Sequence, residues 1–98
     1  MRLPLTINPL AEGDLAEAKA WYDEKRIGLG GEFVLCVEEV FERVRRTPEL
    51  YSTVFEDLRL APVRRFPYLV VYRADQEEIA VVAVYHAHRD PRGWQERA

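Results

Sequence analysis

Residues 68–86 read YLVVYRADQEEIAVVAVYH. The two ends of this stretch are apolar at nearly every position and rich in valine, a pattern typical of strands with both faces buried. The polar run Asp75 to Glu78 between them predicts a hairpin loop. The sequence therefore predicts two strands that pair antiparallel, from Tyr68 to Ala74 and from Ile79 to His86.

Two further strands are predicted around this hairpin. Leu58 to Phe66 is a third extended segment, in which Pro62 favours an edge position. It completes a three-stranded antiparallel meander with the hairpin. Leu3 to Ile7 alternates weakly and predicts a short N-terminal strand, also at an edge because Pro4 has no N–H to donate.

Between the first strand and the meander, the apolar pattern takes the period of helices. Asn8 and Pro9 predict a helix start, with Asn8 as the N-cap. A second helix is predicted from about Glu32 to Arg46, where Pro48 follows. Glycines between the two helices predict a tight turn and an antiparallel hairpin. The glycines are Gly28, Gly30 and Gly31, and the predicted buried positions are Ala11, Leu15, Ala18, Tyr22, Phe33, Val37, Val40, Phe41 and Val44.

These elements predict an α+β fold in a single domain, residues 1–98. The helical hairpin can cover one face of the sheet. Because the last two strands are apolar throughout, their other face requires a cover too. A C-terminal segment or a partner chain is expected to provide it.

Composition limits the classes of protein that fit. Hydrophobic residues make up 48% of the 98 residues and charged residues 32%, which excludes a disordered tail. The sequence has neither an apolar run of membrane-spanning length nor a secretory signal at its start. Cys36 is the single cysteine, so no internal disulfide is possible. We expect a cytoplasmic protein with no membrane partner, in which Cys36 is a buried helix residue.

Charge indicates where a site lies. The formal net charge of −3 is unfavourable for binding nucleic acid mainly through phosphates. Residues 1–57 hold 7 basic and 12 acidic residues, whereas residues 58–98 hold 7 arginines and 5 acidic residues. Arginine suits bidentate contacts with carboxylate or phosphate better than lysine does. The C-terminal half is therefore the predicted location of a binding site.

The segment 86–94, called the tail below, reads HAHRDPRGW. It follows a predicted buried strand, and polar groups at a strand end are held rigidly. Its imidazoles can transfer protons near neutral pH, and its guanidiniums can hold a phosphate or a carboxylate. The candidate target-binding residues of the tail are His86, His88, Arg89, Arg92 and Trp94.

Structural roles are the alternative for these residues. Arg89 and Asp90 can pair and order a turn, and Trp94 can cap the open face of the sheet, the commoner role for an indole near a terminus. Neither role is favoured for His86, whereas function is favoured for His88 and Arg89, because a small apolar core requires neither. A metal site is not predicted, since the two imidazoles have no third ligand beyond Asp90.

A second group of arginines precedes the tail. Strand alternation predicts Arg59 and Arg65 on one face of the sheet and Arg64 on the other, and Arg73 lies on the next strand. One of these faces should approach the tail and gather a cationic patch on an otherwise acidic domain. Arg59, Arg65 and Arg73 therefore join the candidate target-binding residues.

Several motifs, taken in order, resemble the RelE/ParE superfamily of toxins from type II toxin–antitoxin systems. Residues 14–22, DLAEAKAWY, are similar to the helical hairpin of ParE-like toxins, the group that includes plasmid stabilisation proteins. Residues 65–68, RFPY, and 71–73, VYR, resemble the middle of those toxins. Residues 86–91, HAHRDP, followed by Trp94, resemble their ending. The resemblance spans nearly the whole chain.

The resemblance implies a strand, a helical hairpin and a three-stranded antiparallel meander, as the periodicity predicts. It also implies a growth-arresting toxin that a cognate antitoxin neutralises by wrapping it. An extended or helical antitoxin segment would cover apolar surface that the chain leaves open. No cofactor or other small-molecule partner is implied.

The superfamily divides over mechanism. RelE-like members cleave mRNA in the ribosome, and for that activity the resemblance supplies His88, Arg65 and Arg59 as catalytic candidates. ParE-like members poison DNA gyrase instead. No tyrosine follows Tyr85 and no lysine follows Lys25. With the acidic balance, these departures favour gyrase over the ribosome and mRNA. A non-toxic relative that acts as a binding partner is the alternative of another class.

Overall fold

The computed structural model describes residues 2–98, which form five strands and three helices. The strands make one mixed sheet in the order β1-β5-β4-β3-β2. The α+β class is therefore confirmed. In chain order the elements are β1 (Leu5–Ile7), α1 (Pro9–Lys25), α2 (Leu29–Arg46), β2 (Thr53–Phe55), β3 (Leu58–Pro62), β4 (Tyr68–Ala74), β5 (Ile79–His86) and α3 (Arg92–Gln95).

The predicted hairpin of β4 and β5 forms with the predicted bounds. The two strands pair antiparallel, with Tyr68 opposite His86 and Ala74 opposite Ile79. The loop between them is closed by Asp75, whose carboxylate accepts hydrogen bonds from the backbone N–H groups of Glu77 and Glu78, at 2.7 and 2.9 Å. These bonds favour the ionised carboxylate and lower the pKa of Asp75.

The predicted meander is present as β3, β4 and β5, but two predictions about β3 are wrong. The strand ends at Pro62 instead of continuing to Phe66, because the chain turns back: Val63 N–H donates to the Tyr68 carbonyl at 2.9 Å. Arg65 lies in this turn with a φ of 73°, so it shares no strand face with Arg59. β3 is also not the outermost strand, since the short, unpredicted β2 pairs with it at Leu58 and Arg59, although that pairing does not extend to Pro62.

β1 lies at the opposite edge, as predicted, but begins at Leu5 instead of Leu3. It runs parallel to β5, with Leu5 beside Ile79 and Ile7 beside Val81. Asn8 follows as the N-cap of α1, yet its side chain makes no capping hydrogen bond. Because β1 is only three residues long, no strand of residues 2–98 pairs with this side of β5 beyond Val81.

The two long helices form the predicted hairpin, but α2 begins at Leu29, one turn earlier than expected. Only Gly28 adopts the left-handed backbone of a turn, with a φ of 88°. Gly30 instead lies inside α2, where a Cβ atom would be 2.4 Å from the Lys19 carbonyl oxygen of α1. Its N–H donates to the Asp23 carboxylate at 2.7 Å. Glycine here permits the close approach of the two helices.

Both faces of the sheet are covered. The helical hairpin covers one face, and Cys36 and all nine predicted positions lie in this core, with Leu15 only partly buried. The other face is covered by the C-terminal segment, one of the two covers expected. Its core consists of Leu58, Val71, Val82, Ala83, Tyr85 and Trp94.

The close approach of α1 and α2 at Gly30 can be tested with two glycine variants. Gly30→Ala should lower the free energy of unfolding by about 1–3 kcal/mol, because its Cβ overlaps backbone. Gly31→Ala should raise it by up to about 1 kcal/mol, because alanine favours a helix and its Cβ meets nothing within 4 Å. Urea denaturation of both variants measures the difference. Equal effects at the two positions would contradict the close contact between α1 and α2.

Candidate functional site

A groove of about 600 Å³ lies between α1, the start of β4 and the C-terminal end of β5. β5 delivers the tail to its rim, where the buried strand ends. The opposite wall is the outer side of α1. The side chains that give the groove its chemistry are Glu17, Trp21, Tyr68, His86, His88 and Arg89.

The two histidines are held by a short turn at the strand end. Ala87 N–H donates to the Pro67 carbonyl at 2.8 Å, which keeps the chain beside β4. His88 N–H donates to Nδ1 of His86 at 3.1 Å, and the two rings lie 5.5 Å apart. Because Nδ1 accepts this bond, neutral His86 carries its proton on Nε2. The His86 ring also packs edge-on against Tyr68, at 5.2 Å.

Arg89 is the free cation of the groove. Within residues 2–98, no carboxylate pairs with it, and its guanidinium lies 4.8 Å from the ring centre of Tyr85. The alternative that Arg89 pairs with Asp90 is wrong. Asp90 binds the exposed Arg92 instead, which lowers the pKa of the Asp90 carboxyl. Arg89 is therefore available to a ligand, whereas Arg92 is engaged.

Two aromatic side chains give the groove its apolar surface. Trp21 is 52% exposed although its ring is fixed by Tyr22, at 5.0 Å, and by the ammonium of Lys25, at 4.6 Å. Burial raises the pKa of Tyr68, which the positive charge of Arg89 opposes. Tyr68 is therefore a protonated hydrogen-bond donor at neutral pH.

The strand arginines lie elsewhere. Arg59 donates to the Tyr51 carbonyl at 2.5 Å. Arg65 and Arg73 pair with acidic residues, Glu32 at 2.9 Å and Asp57 at 3.1 Å. None of these three arginines lines the groove. The structure thus brings His86, His88 and Arg89 together, while the predicted nuclease set of His88, Arg59 and Arg65 is dispersed.

Trp94 lies on the other side of the sheet from the groove. It is only 5% exposed and packs in the second core, with Phe55 edge-on at 6.2 Å. The structure therefore gives Trp94 a packing role, which is the structural alternative to target binding.

Sequence patterns missed several groove residues. Trp21 falls beside the buried stripe of α1, and an indole at a solvent-facing helix position was the available signal. Tyr68 opens an apolar strand and resembles a core residue. Nothing in the sequence indicated that Asp14, which also lines the groove, would meet Arg97.

Residues 2–98 hold neither a metal-ligand cluster nor a membrane-spanning helix. No group of three His, Cys, Asp or Glu side chains is arranged to bind a metal ion there. No helix in the same range is both long enough and apolar enough to cross a bilayer.

The fold has a solved counterpart. The structure described as the chromosomal ParDE TA system from P. aeruginosa superimposes with a TM-score of 0.78 at 14% sequence identity. The match covers 89% of this chain and 98% of the other. The likeness shows that the two chains share one fold.

Sequence comparison identifies the family. The model of the ParE toxin of type II toxin–antitoxin systems, parDE, matches residues 5–91. The chain is also 31% identical over 88 residues to Toxin ParE2 of Mycobacterium tuberculosis, in strains CDC 1551 / Oshkosh and ATCC 25618 / H37Rv. The alignment covers 89% of this chain and 84% of the relative. The chain belongs to the ParE toxin family.

The two tryptophans should differ in their effect on stability. Trp94→Ala should lower the free energy of unfolding by about 3–5 kcal/mol, because it empties the second core. Trp21→Ala should change it by less than about 1 kcal/mol, because the indole is half exposed. Thermal unfolding followed by circular dichroism compares them. A larger loss for Trp21→Ala would contradict the packing role of Trp94.

Proposed function

We propose that this ParE-family toxin arrests growth by inhibiting DNA gyrase and that a cognate antitoxin suppresses this activity. Gyrase inhibition is the usual activity of ParE toxins. The proposal assigns the groove rim, with His86, His88 and Arg89, to contact with the target. In this proposal the toxin acts in the cytoplasm, where gyrase and DNA are found.

One observation carries the choice of gyrase over mRNA cleavage. Arg59 and Arg65, which would steady a phosphate beside His88 in a nuclease, are bound to Tyr51 and Glu32 instead. Cleavage needs a base and a phosphate-binding cation within reach of the same bond. The dispersed arrangement favours a surface that binds a protein target. In that role Arg89 is a contact residue.

Ribosome-dependent mRNA cleavage is the second candidate, and the groove itself supports it. Two imidazoles, the Tyr68 phenol and the free Arg89 line one cavity. Such groups can transfer a proton and hold a phosphate. It ranks second because Arg59 and Arg65, the arginines predicted for a nuclease, are bound outside the groove. The net charge of −3 also opposes docking on ribosomal RNA.

The same groove offers a binding surface for an antitoxin. Family membership supports an antitoxin partner, and the similar solved structure is described as a ParDE system. The half-exposed Trp21 gives a partner an apolar anchor, and large aromatic side chains contribute strongly to such interfaces. An antitoxin segment that covered Trp21 would also lie beside the rim proposed to contact gyrase.

Arg89→Ala should weaken inhibition of gyrase-catalysed DNA supercoiling about tenfold or more, since it removes the unpaired cation of the rim. The double variant His88→Ala, Arg89→Ala should be weaker still. Pulse-labelling after induction without antitoxin should show early loss of DNA synthesis by the wild type, with translation intact.

Arg46→Ala is the matched control. Arg46 is exposed on α2, outside the groove, and no carboxylate pairs with it within residues 2–98. Its loss should leave inhibition unchanged. Full activity of the double variant would remove the rim from the target site. Early loss of translation would favour mRNA cleavage, and no growth arrest would favour a non-toxic relative.

A further inference from the structure

The ion pair between Asp14 and Arg97 connects three parts of the fold. Arg97 makes two hydrogen bonds to the carboxylate of Asp14 on α1, at 2.6 and 3.1 Å. The same guanidinium donates to the Val82 carbonyl at 3.0 Å. Asp14 also accepts the N–H of Val84 at 3.0 Å. The Asp14–Arg97 pair thus joins α1, β5 and the segment after α3.

The pair is well shielded from solvent. Its side chains are 17% and 21% exposed, whereas every other ion pair within residues 2–98 has both side chains at least 32% exposed. Exposed pairs are screened and contribute little, whereas a shielded bidentate pair fixes geometry. Hydrogen bonding to Asp14 raises the pKa of Arg97. The Arg97 guanidinium therefore stays charged over the physiological range of pH.

Contacts at both ends hold the loop of the tail. The loop from Ala87 to Pro91 begins at β5, where the N–H groups of Ala87 and His88 donate to Pro67 and His86. It ends at α3, which is a single turn of four residues. One isolated turn is not stable alone. Three contacts fix this far end: the Tyr85 hydroxyl donates to the Asp90 carbonyl at 2.7 Å, Trp94 is buried, and Arg97 binds Asp14.

We propose that Arg97 is a positioning residue of the toxin: its ion pair with Asp14 fixes α3 and thereby holds His88 and Arg89 at the groove rim. The effect of the ion pair on toxin activity rests on the proposed function, whereas its effect on the order of the tail does not. Arg97 itself does not contact the target. It sets the geometry of residues that do.

The test compares Arg97→Ala with Val44→Ala, a core variant on α2 that is fully buried and remote from the tail. Both should lower the melting temperature. Below the melting temperature of either variant, Arg97→Ala should inhibit gyrase about tenfold more weakly, the loss expected when two mobile side chains must be ordered on binding. Val44→Ala should retain wild-type inhibition.

Two further measurements separate positioning from stability. Acrylamide quenching in a Trp21→Phe background, used for spectroscopy only, reports Trp94 alone. Quenching should rise for Arg97→Ala and not for Val44→Ala. Compared with Arg97→Ala, Arg97→Lys should restore part of the gyrase inhibition and part of the protection of Trp94 from quenching. An ammonium can bind Asp14 but cannot reproduce the bidentate pair.

Equal inhibition by Arg97→Ala and Val44→Ala, or an unchanged quenching of Trp94, would overturn the proposal. If Arg97→Ala does not fold, Arg97→Lys is compared with Val44→Ala in its place, with the same two readouts. If the wild type fails to inhibit gyrase, the proposed function is lost, yet Trp94 quenching still decides whether Arg97 orders the tail.

Discussion

The burial of β5 on both faces is the constraint on which the rest of the structure depends. Water is excluded from one face by α1 and α2 and from the other by Trp94. Backbone groups at the edge of such a strand require partners. β4 supplies them along one side, but β1 reaches only as far as Val81 on the other. Asp14 and Arg97 satisfy Val84 and Val82 beyond that point. The candidate site then begins where the strand leaves the core.

Local pairing, more than net charge, determines what the surface presents to a partner. Several acidic residues of the helices have arginine partners, such as Glu39 with Arg64 and Glu32 with Arg65. The arginine excess of residues 58–98 is therefore largely neutralised where it stands. Arg89 differs because Asp90, its neighbour in sequence, is engaged by Arg92. A single unpaired guanidinium beside an aromatic groove is a more specific feature than a diffuse basic patch.

Periodicity predicted the elements that have strong apolar patterns. The bounds of β4 and β5 and the buried face of α2 follow from the sequence, since alternation and spacing of apolar residues encode them directly. β2 was missed because three mostly exposed residues carry no periodic signal. The early start of α2 was missed because Gly30 is selected by contact with Lys19, a tertiary feature. The tail follows the end of β5, as the apolar pattern of that strand predicts. The placement of Arg65 failed because a turn after Pro62 overrides strand alternation. Arg97 could not be linked to Asp14, because no local pattern connects two residues that are 83 positions apart.

The short length of β1 has a consequence for the life of the chain before folding is complete. An unpaired strand edge is a template for pairing with other chains, and natural sheets block such edges with charged side chains. Here the block consists of two side chains, one of which emerges from the ribosome only after all five strands have been made. Until Arg97 folds back onto Asp14, the apolar β5 has an open edge. We therefore expect newly synthesised chains to be prone to aggregation in that interval, before α3 docks.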